Sequence, residues 1–144
     1  MDGGTFTAGA WQTRILNTVA VDDTGAVILA ANRFTLPAGT YIITASAPGN
    51  DVSSHQARLY NITDGGVQQT ALGSDLYGTT ARTGDAAVNN TMTDSIIYGK
   101  FVIAAAKVFE IQHRCQTTKA LTGFGVASSF ATDIYTSVQL LKVA

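Results

Sequence analysis

The sequence predicts an all-β domain of about eight to ten strands that pack as a two-sheet sandwich. Runs rich in Thr, Val, Ile and Tyr alternate between apolar and polar residues, and clusters of Gly, Asp and Asn separate them. No segment repeats apolar residues with the period of an amphipathic helix. At 144 residues the chain suits one domain, which we place at 11–144, with residues 1–10 a flexible leader or the stub of a longer chain.

The strands follow one another with turn residues between them. Pro37-Ala38-Gly39 and Asp64-Gly65-Gly66 are turns, and we expect the strand after Gly39 to end at Pro48. The span 67–93 is the least regular part and predicts long loops. The predicted strands are 11–18, 26–36, 40–47, 55–63, 95–105, 107–116 and 134–143, with a weaker candidate at 121–128.

The stretch FEIQHRCQ, 109–116, contains the only cysteine and one of the two histidines. Alternation along a strand places Phe109, Ile111, His113 and Cys115 on one side, which we expect to be buried. The opposite side carries a polar row that predicts a ladder of contacts between subunits, or else a solvated face. That row consists of Glu110, Gln112 and Arg114.

An enzyme that uses this cysteine is a weaker hypothesis. His113 and Cys115 lie roughly 6 to 7 Å apart by strand rise, which is too far for a direct hydrogen bond between a nucleophile and its base. Glu110 has no second carboxylate marked by the sequence for glycoside hydrolysis. His55 and His113 are distant in sequence and no HxH or CxxC spacing occurs, so we expect no catalytic residues, no metal and no cofactor.

Composition limits the partners further. The net charge of −1 gives no long-range field to collect nucleic acid, so we expect no nucleic-acid partner. The single cysteine permits no internal disulfide. The first ten residues lack the pattern of a signal peptide, and no apolar run is long enough to span a bilayer, so we expect neither secretion by that route nor membrane insertion.

Short motifs spread over residues 11–144 carry a family resemblance. They lie at Phe34, Gly39, Tyr41, Leu59, Tyr60, Asn61, Val108, Phe109 and 134–143. With these motifs the sequence resembles the C1q and tumour-necrosis-factor-like jelly rolls, although it lacks their collagen-like stalk. Its low charge, its Thr- and Ala-rich composition and the opening WQTRILNT are more similar to jelly-roll heads that end bacteriophage tail fibres and related virion proteins.

This resemblance implies a jelly-roll fold and a homotrimer, and apolar residues on both faces of strand 40–47 favour an oligomer independently. The first functional hypothesis is a non-enzymatic head of a fibre or virion appendage that binds a host-surface glycan or protein through loops. Such a protein would be made in the host cytoplasm and reside in the virion, beside other virion proteins. The candidate receptor-binding residues are Asp51, Ser53, His55, Tyr77, Arg82, Asp85 and Asn89.

The alternative is a structural role without receptor recognition. In that case the domain would be a trimerisation or capsid-decoration module that stabilises a particle. The two hypotheses share the fold and the oligomer, and they differ in whether the loops have a ligand.

Overall fold

The computed structural model describes residues 1–67, 76–84 and 91–144. The described part is all-β without a helix, and its strands form two antiparallel sheets stacked as a sandwich. The large sheet has seven strands and the small sheet has three, in the order β10-β4-β8. The strands are β1 (Gln12–Thr13), β2 (Ile28–Ala30), β3 (Arg33–Leu36), β4 (Gly39–Asn50), β5 (Ser54–Asn61), β6 (Gly66–Val67), β7 (Ala81–Arg82), β8 (Met92–Ile103), β9 (Lys107–Cys115) and β10 (Ser137–Lys142).

Strand β9 is central to the large sheet. It pairs with β5 along one edge, and along the other edge it pairs first with β3 and then with β1. Alternate side chains of these strands point inward, and Phe109 and Ile111 are fully buried. They pack against inward residues of the small sheet such as Ile43 and Phe101, which confirms the sandwich predicted from the alternation.

The predicted strand 26–36 is in fact a hairpin, β2 and β3. Ala30 pairs with Arg33, so the turn between them contains only Ala31 and Asn32. Both residues have positive φ, 50° and 63°, which is the geometry of a tight two-residue hairpin turn. Sequence inspection missed this turn because Ala at the first position lacks the usual Asn-Gly or Gly-Gly signal.

Strand β4 runs past Pro48, where we expected it to end. Pairing with β10 stops at Ser46, whereas pairing with β8 continues to Asn50. A proline is tolerated in a strand where its nitrogen does not have to donate to a neighbouring strand. Beyond Ser46, β10 no longer pairs with β4, so the Pro48 nitrogen has no strand partner to which it would have to donate. The Pro48 carbonyl accepts a hydrogen bond from the Arg14 guanidinium.

Residues near the start of the chain are packed against the domain, in contrast to the flexible leader that we expected. Phe6 is fully buried and stacks on Phe124, with ring centroids 4.3 Å apart. Its backbone exchanges hydrogen bonds with Lys119. The segment 121–128, a weak strand candidate, forms no strand and instead provides the loop against which Phe6 packs.

Candidate functional site

Cys115 is buried, as the alternation along β9 predicts. Its Sγ donates to the carbonyl oxygen of Thr117 at 3.3 Å. Burial raises the pKa of the Cys115 thiol to about 11 because the thiolate would lose its hydration. A thiol in this environment is a poor nucleophile at neutral pH.

The two histidines meet in the core. Register pairs His55 with Cys115 and Ala57 with His113, so the imidazoles are diagonal neighbours across β5 and β9. Nδ1 of His55 lies 2.9 Å from Nε2 of His113. The Phe6 ring covers His113, with centroids 4.6 Å apart. Sequence analysis missed this pair because it compared the two histidines by sequence distance rather than by strand register.

The hydrogen-bond pattern favours one arrangement of the histidine protons, in which no buried N–H lacks a partner. The Thr93 hydroxyl donates to the carbonyl of Arg82 at 3.2 Å, so its oxygen is left to accept from Nε2–H of His55 at 2.9 Å. Nδ1 of His55 then accepts from Nε2–H of His113. Nδ1 of His113 is left as a bare lone pair, in agreement with its lack of a hydrogen-bond partner within the described residues.

A buried arginine lies close to the pair. Arg14 donates to Thr136 Oγ1 at 2.6 Å and to the carbonyls of Pro48 and Phe124, and its guanidinium lies 4.2 Å from the Phe124 ring centroid. Burial lowers the pKa of Arg14 to about 9, although the charge of Asp94 opposes this effect. Burial, and then the Arg14 charge, lower the pKa of His55 to about 4 and that of His113 to about 2. The imidazoles are therefore neutral at physiological pH.

Three of the predicted receptor-binding residues have buried side chains: Asp51, Ser53 and His55. This differs from the exposed loop expected around residue 51, because the turn there folds inward. The Asp51 carboxylate accepts from Thr91 N at 2.9 Å and pairs with Lys119 at 3.2 Å. The Asp51 carboxylate is therefore bonded within the chain, whereas His55 lines the cleft described below.

The other predicted receptor-binding residues divide into two groups. Tyr77 is 40% exposed, and its ring centroid lies 6.2 Å from that of Trp11. Arg82 is exposed on β7, where it pairs with Ser54 of β5. Asp85 and Asn89 lie outside the described residues, so their part in a binding surface stays a prediction.

The predicted interface row lies on the outer face of the large sheet, and two of its members are already bonded within the chain. Glu110 is buried, receives a hydrogen bond from Gln112 at 2.6 Å and pairs with Arg33 at 3.0 Å. Arg58 donates twice to Gln112 Oε1, at 2.8 and 2.6 Å. These contacts form one continuous polar ladder across three strands. Arg114, the third member, is exposed.

Aromatic residues border this ladder. The Arg58 guanidinium lies 4.0 Å from the Trp11 ring centroid and 4.8 Å from that of Tyr60. The cation is thus held between two rings, an arrangement that also restrains the indole. Trp11, which sequence analysis treated only as part of a strand, is in this way joined to the surface that carries Tyr77.

A cleft of about 540 Å³ opens beside Trp11 on the same face. We call it the Trp11 cleft. Its outward-facing side chains provide one indole, one guanidinium, two carboxamides and two hydroxyls, a set able to stack on a sugar ring and bind its hydroxyls, and Gly9, His55 and Cys115 complete the lining. Its outward-facing lining residues include Trp11, Ser54, Gln56, Thr80, Arg114 and Gln116.

The outer face of the small sheet has a different character. Tyr98 is 72% exposed, and the same face exposes the aliphatic Ile96, Val102 and Leu141 together with the polar Thr44, Lys100 and Gln139. Register places these side chains in adjacent rows, since Tyr98 pairs with Thr44 and Ile42 pairs with both Lys100 and Leu141. We call this surface the apolar face, and its apolar members are Ile42, Ile96, Tyr98, Val102 and Leu141.

Comparisons with known proteins do not assign this chain to a family. No family model matches the sequence, and no curated protein matches it. Within 1–67, 76–84 and 91–144 no helix is long and apolar enough to cross a membrane. The same residues contain no group of three or more His, Cys, Asp or Glu side chains placed to hold a metal ion.

Proposed function

We propose that this domain is the non-enzymatic, homotrimeric jelly-roll head of a virion fibre or similar appendage, and that it binds a host-surface receptor. The observation that carries the proposal is the Trp11 cleft, an open surface site whose side chains suit sugar recognition. The motif resemblance to fibre heads supports the same function. On this proposal the receptor meets the outer face of the large sheet rather than the loop around residue 51.

The contact geometry supports a recognition surface that is formed before the ligand arrives. Trp11 is restrained by Arg58, and Arg58 is restrained by Gln112. Side chains that are already ordered lose little conformational entropy when a ligand binds. Tyr77, beside Trp11, extends the surface toward β7 and Arg82.

The apolar face supports the homotrimer. Large exposed apolar side chains grouped on one sheet face are typical of a surface that another protein covers. A closed ring of copies covers it without leaving an unpaired apolar surface. Glu110 and Gln112, predicted as interface residues, have their hydrogen bonds satisfied inside one chain, so we now place the subunit contact at the apolar face.

Cell binding tests the receptor proposal. The labelled domain is titrated onto host cells, and Tyr77→Ala and Arg82→Ala are compared with Asp23→Ala, which removes an exposed charge that belongs neither to the cleft nor to the apolar face. We expect weaker binding for the first two variants and unchanged binding for Asp23→Ala. Equal binding by all the variants would show that this surface does not contact the host receptor.

Light scattering tests the oligomer. We expect the mass of three chains for the native protein and a shift toward one chain for Tyr98→Lys, which places a charge in the middle of the apolar face. A native protein that has the mass of one chain in dilute buffer would contradict the trimer.

The apolar face also favours the second candidate function, a trimerisation or capsid-decoration module without receptor recognition. That function predicts a trimer that does not bind host cells even at the highest concentration of labelled domain. The two experiments together therefore separate the candidates.

A further inference from the structure

The arginines are distributed unevenly over the surface. Four of the five point outward from the large sheet, and the fifth, Arg14, is buried. On the strands of this sheet, within the described residues, Glu110 is the one outward-pointing carboxylate, and it is paired with Arg33. A chain with a net charge of −1 thus has one locally cationic face. The four outward arginines are Arg33, Arg58, Arg82 and Arg114.

These arginines differ in what they already bind. Arg33 pairs with Glu110, and Arg58 is held by Gln112 and two aromatic rings. Arg114 lines the Trp11 cleft and forms no ion pair with any residue that the structure describes. Within the cleft, one guanidinium is therefore left to bind an anion.

The remaining cleft groups are neutral and have hydrogen-bonding capacity left. Gln56 donates one N–H to the carbonyl of Gly78, which leaves its carbonyl oxygen facing other partners. Gln116 accepts from Ser53 through its carbonyl oxygen, which leaves its amide N–H groups. The cleft therefore offers a guanidinium, an acceptor, donors and an indole within one small volume.

We infer that the Trp11 cleft binds a sugar residue that carries a single carboxylate, with Arg114 as the carboxylate partner. A planar guanidinium matches the two oxygens of a carboxylate and binds them with charge-assisted hydrogen bonds. Gln56 and Gln116 bind sugar hydroxyls, and Trp11 packs against the ring. This inference rests on the proposed receptor-binding function and specifies its ligand.

A nucleic acid or an acidic peptide fits the same surface less well. Such ligands present a series of charges and need a series of available cations. Here two of the neighbouring guanidiniums already have partners within the chain. A ligand with one acid group and several hydroxyls matches the cleft, which offers one guanidinium and several neutral hydrogen-bonding groups.

The test uses acidic oligosaccharides that end in a uronic or sialic acid, each paired with the same oligosaccharide after reduction of its carboxyl group to an alcohol. Affinity for the full chain is measured by calorimetry. Because a hydrogen bond to a charged group is stronger than one between neutral groups, we expect carboxyl reduction to weaken binding about tenfold or more. Arg114→Gln should cause a similar loss, and Asp23→Asn, which removes an exposed charge outside the cleft and the apolar face, should cause none.

The outcomes distinguish this inference from the proposed function. The carboxylate site is wrong if the reduced sugars bind with undiminished affinity, or if Arg114→Gln binds the acidic sugars with undiminished affinity. Either result is still compatible with a glycan receptor. Preference for a nucleic acid or an acidic peptide over every sugar overturns the carboxylate site as well. If no glycan binds and host cells are not bound either, the receptor function itself fails.

Discussion

The imidazoles of His55 and His113 share a hydrogen bond of 2.9 Å, although the residues lie 58 positions apart in the sequence. Both rings are buried, the Arg14 cation lies nearby, and no anion among the described residues favours the protonated form of either ring. Two neutral histidines in a core make the fold sensitive to acid. The register between β5 and β9 creates this property, and neither strand has it alone.

We predict that the protein loses stability as the pH falls from 7 to 5. The folded-state pKa values are lowered to about 4 for His55 and about 2 for His113, from an ordinary value of 6.5. The unfolded chain therefore binds more protons below pH 6.5, and stability is full above that pH. Each histidine accounts for a loss of about 2 kcal/mol between pH 7 and pH 5.

Urea unfolding at several pH values measures this loss. The carboxylates whose pKa is lowered, such as Asp22 and Asp64, titrate below this window, so the histidines dominate within it. An unfolding free energy that is equal at pH 7 and pH 5 would show that the two rings are not held neutral.

We predict that Cys115 reacts slowly with alkylating reagents in the folded protein. At pH 8 a thiol of pKa about 11 has about a hundredfold less thiolate than one with the ordinary pKa of 9.0. Mass spectrometry after timed exposure to iodoacetamide gives the rate, and the protein unfolded in urea serves as the control. Alkylation at the same rate in both states would contradict the prediction, because it would indicate an accessible thiol with an ordinary pKa.

The Arg33–Glu110 pair yields a prediction about stability. Arg33→Met leaves the buried Glu110 carboxylate with Gln112 as its remaining side-chain partner in the described structure. We expect a loss of about 1 to 3 kcal/mol, reduced by the partial exposure of Arg33. The double variant Arg33→Met, Glu110→Gln should recover part of that loss, because no charge is then buried. Denaturant unfolding of the three proteins measures both effects, and equal losses in the single and double variants would contradict the argument.

The hairpin turn provides a substitution that should stabilise the fold. Ala31 has a φ of 50°, a conformation that costs a residue with a Cβ about 1 kcal/mol and costs glycine nothing. Ala31→Gly should therefore raise the free energy of unfolding by a few tenths to about 1 kcal/mol, since added flexibility of the unfolded chain offsets part of the gain. Asn32→Ala is the matched comparison and should destabilise, because Asn32 also accepts a hydrogen bond from Leu16 N. Thermal unfolding measures both, and a less stable Ala31→Gly would contradict the assignment of strain.

Alternation predicted the inward face of strand 107–116 correctly. Phe109, Ile111, His113 and Cys115 are buried, because a strand with one apolar side has one stable orientation in a sandwich. Boundaries were less predictable, as Pro48 shows. Whether a proline ends a strand depends on which neighbour needs its nitrogen, and that neighbour is distant in the sequence.

The candidate site was only partly predictable. Tyr77 and Arg82 are exposed, as their loop positions indicated, whereas Asp51 and His55 turn inward. The Trp11 cleft went unnoticed because it combines residues of β5 and β9 with the residue just before β1. The net charge was also a poor guide to the surface, since it sums over faces that differ in charge.

The buried position of Phe6 has a consequence for proton access. Its ring covers His113, and the segment that carries it is attached through the Lys119 backbone and the stack on Phe124. Displacing that segment would expose the His113 ring to water and return its pKa toward the ordinary value. Packing by the first residues of the domain therefore helps to keep one weak base of the core neutral.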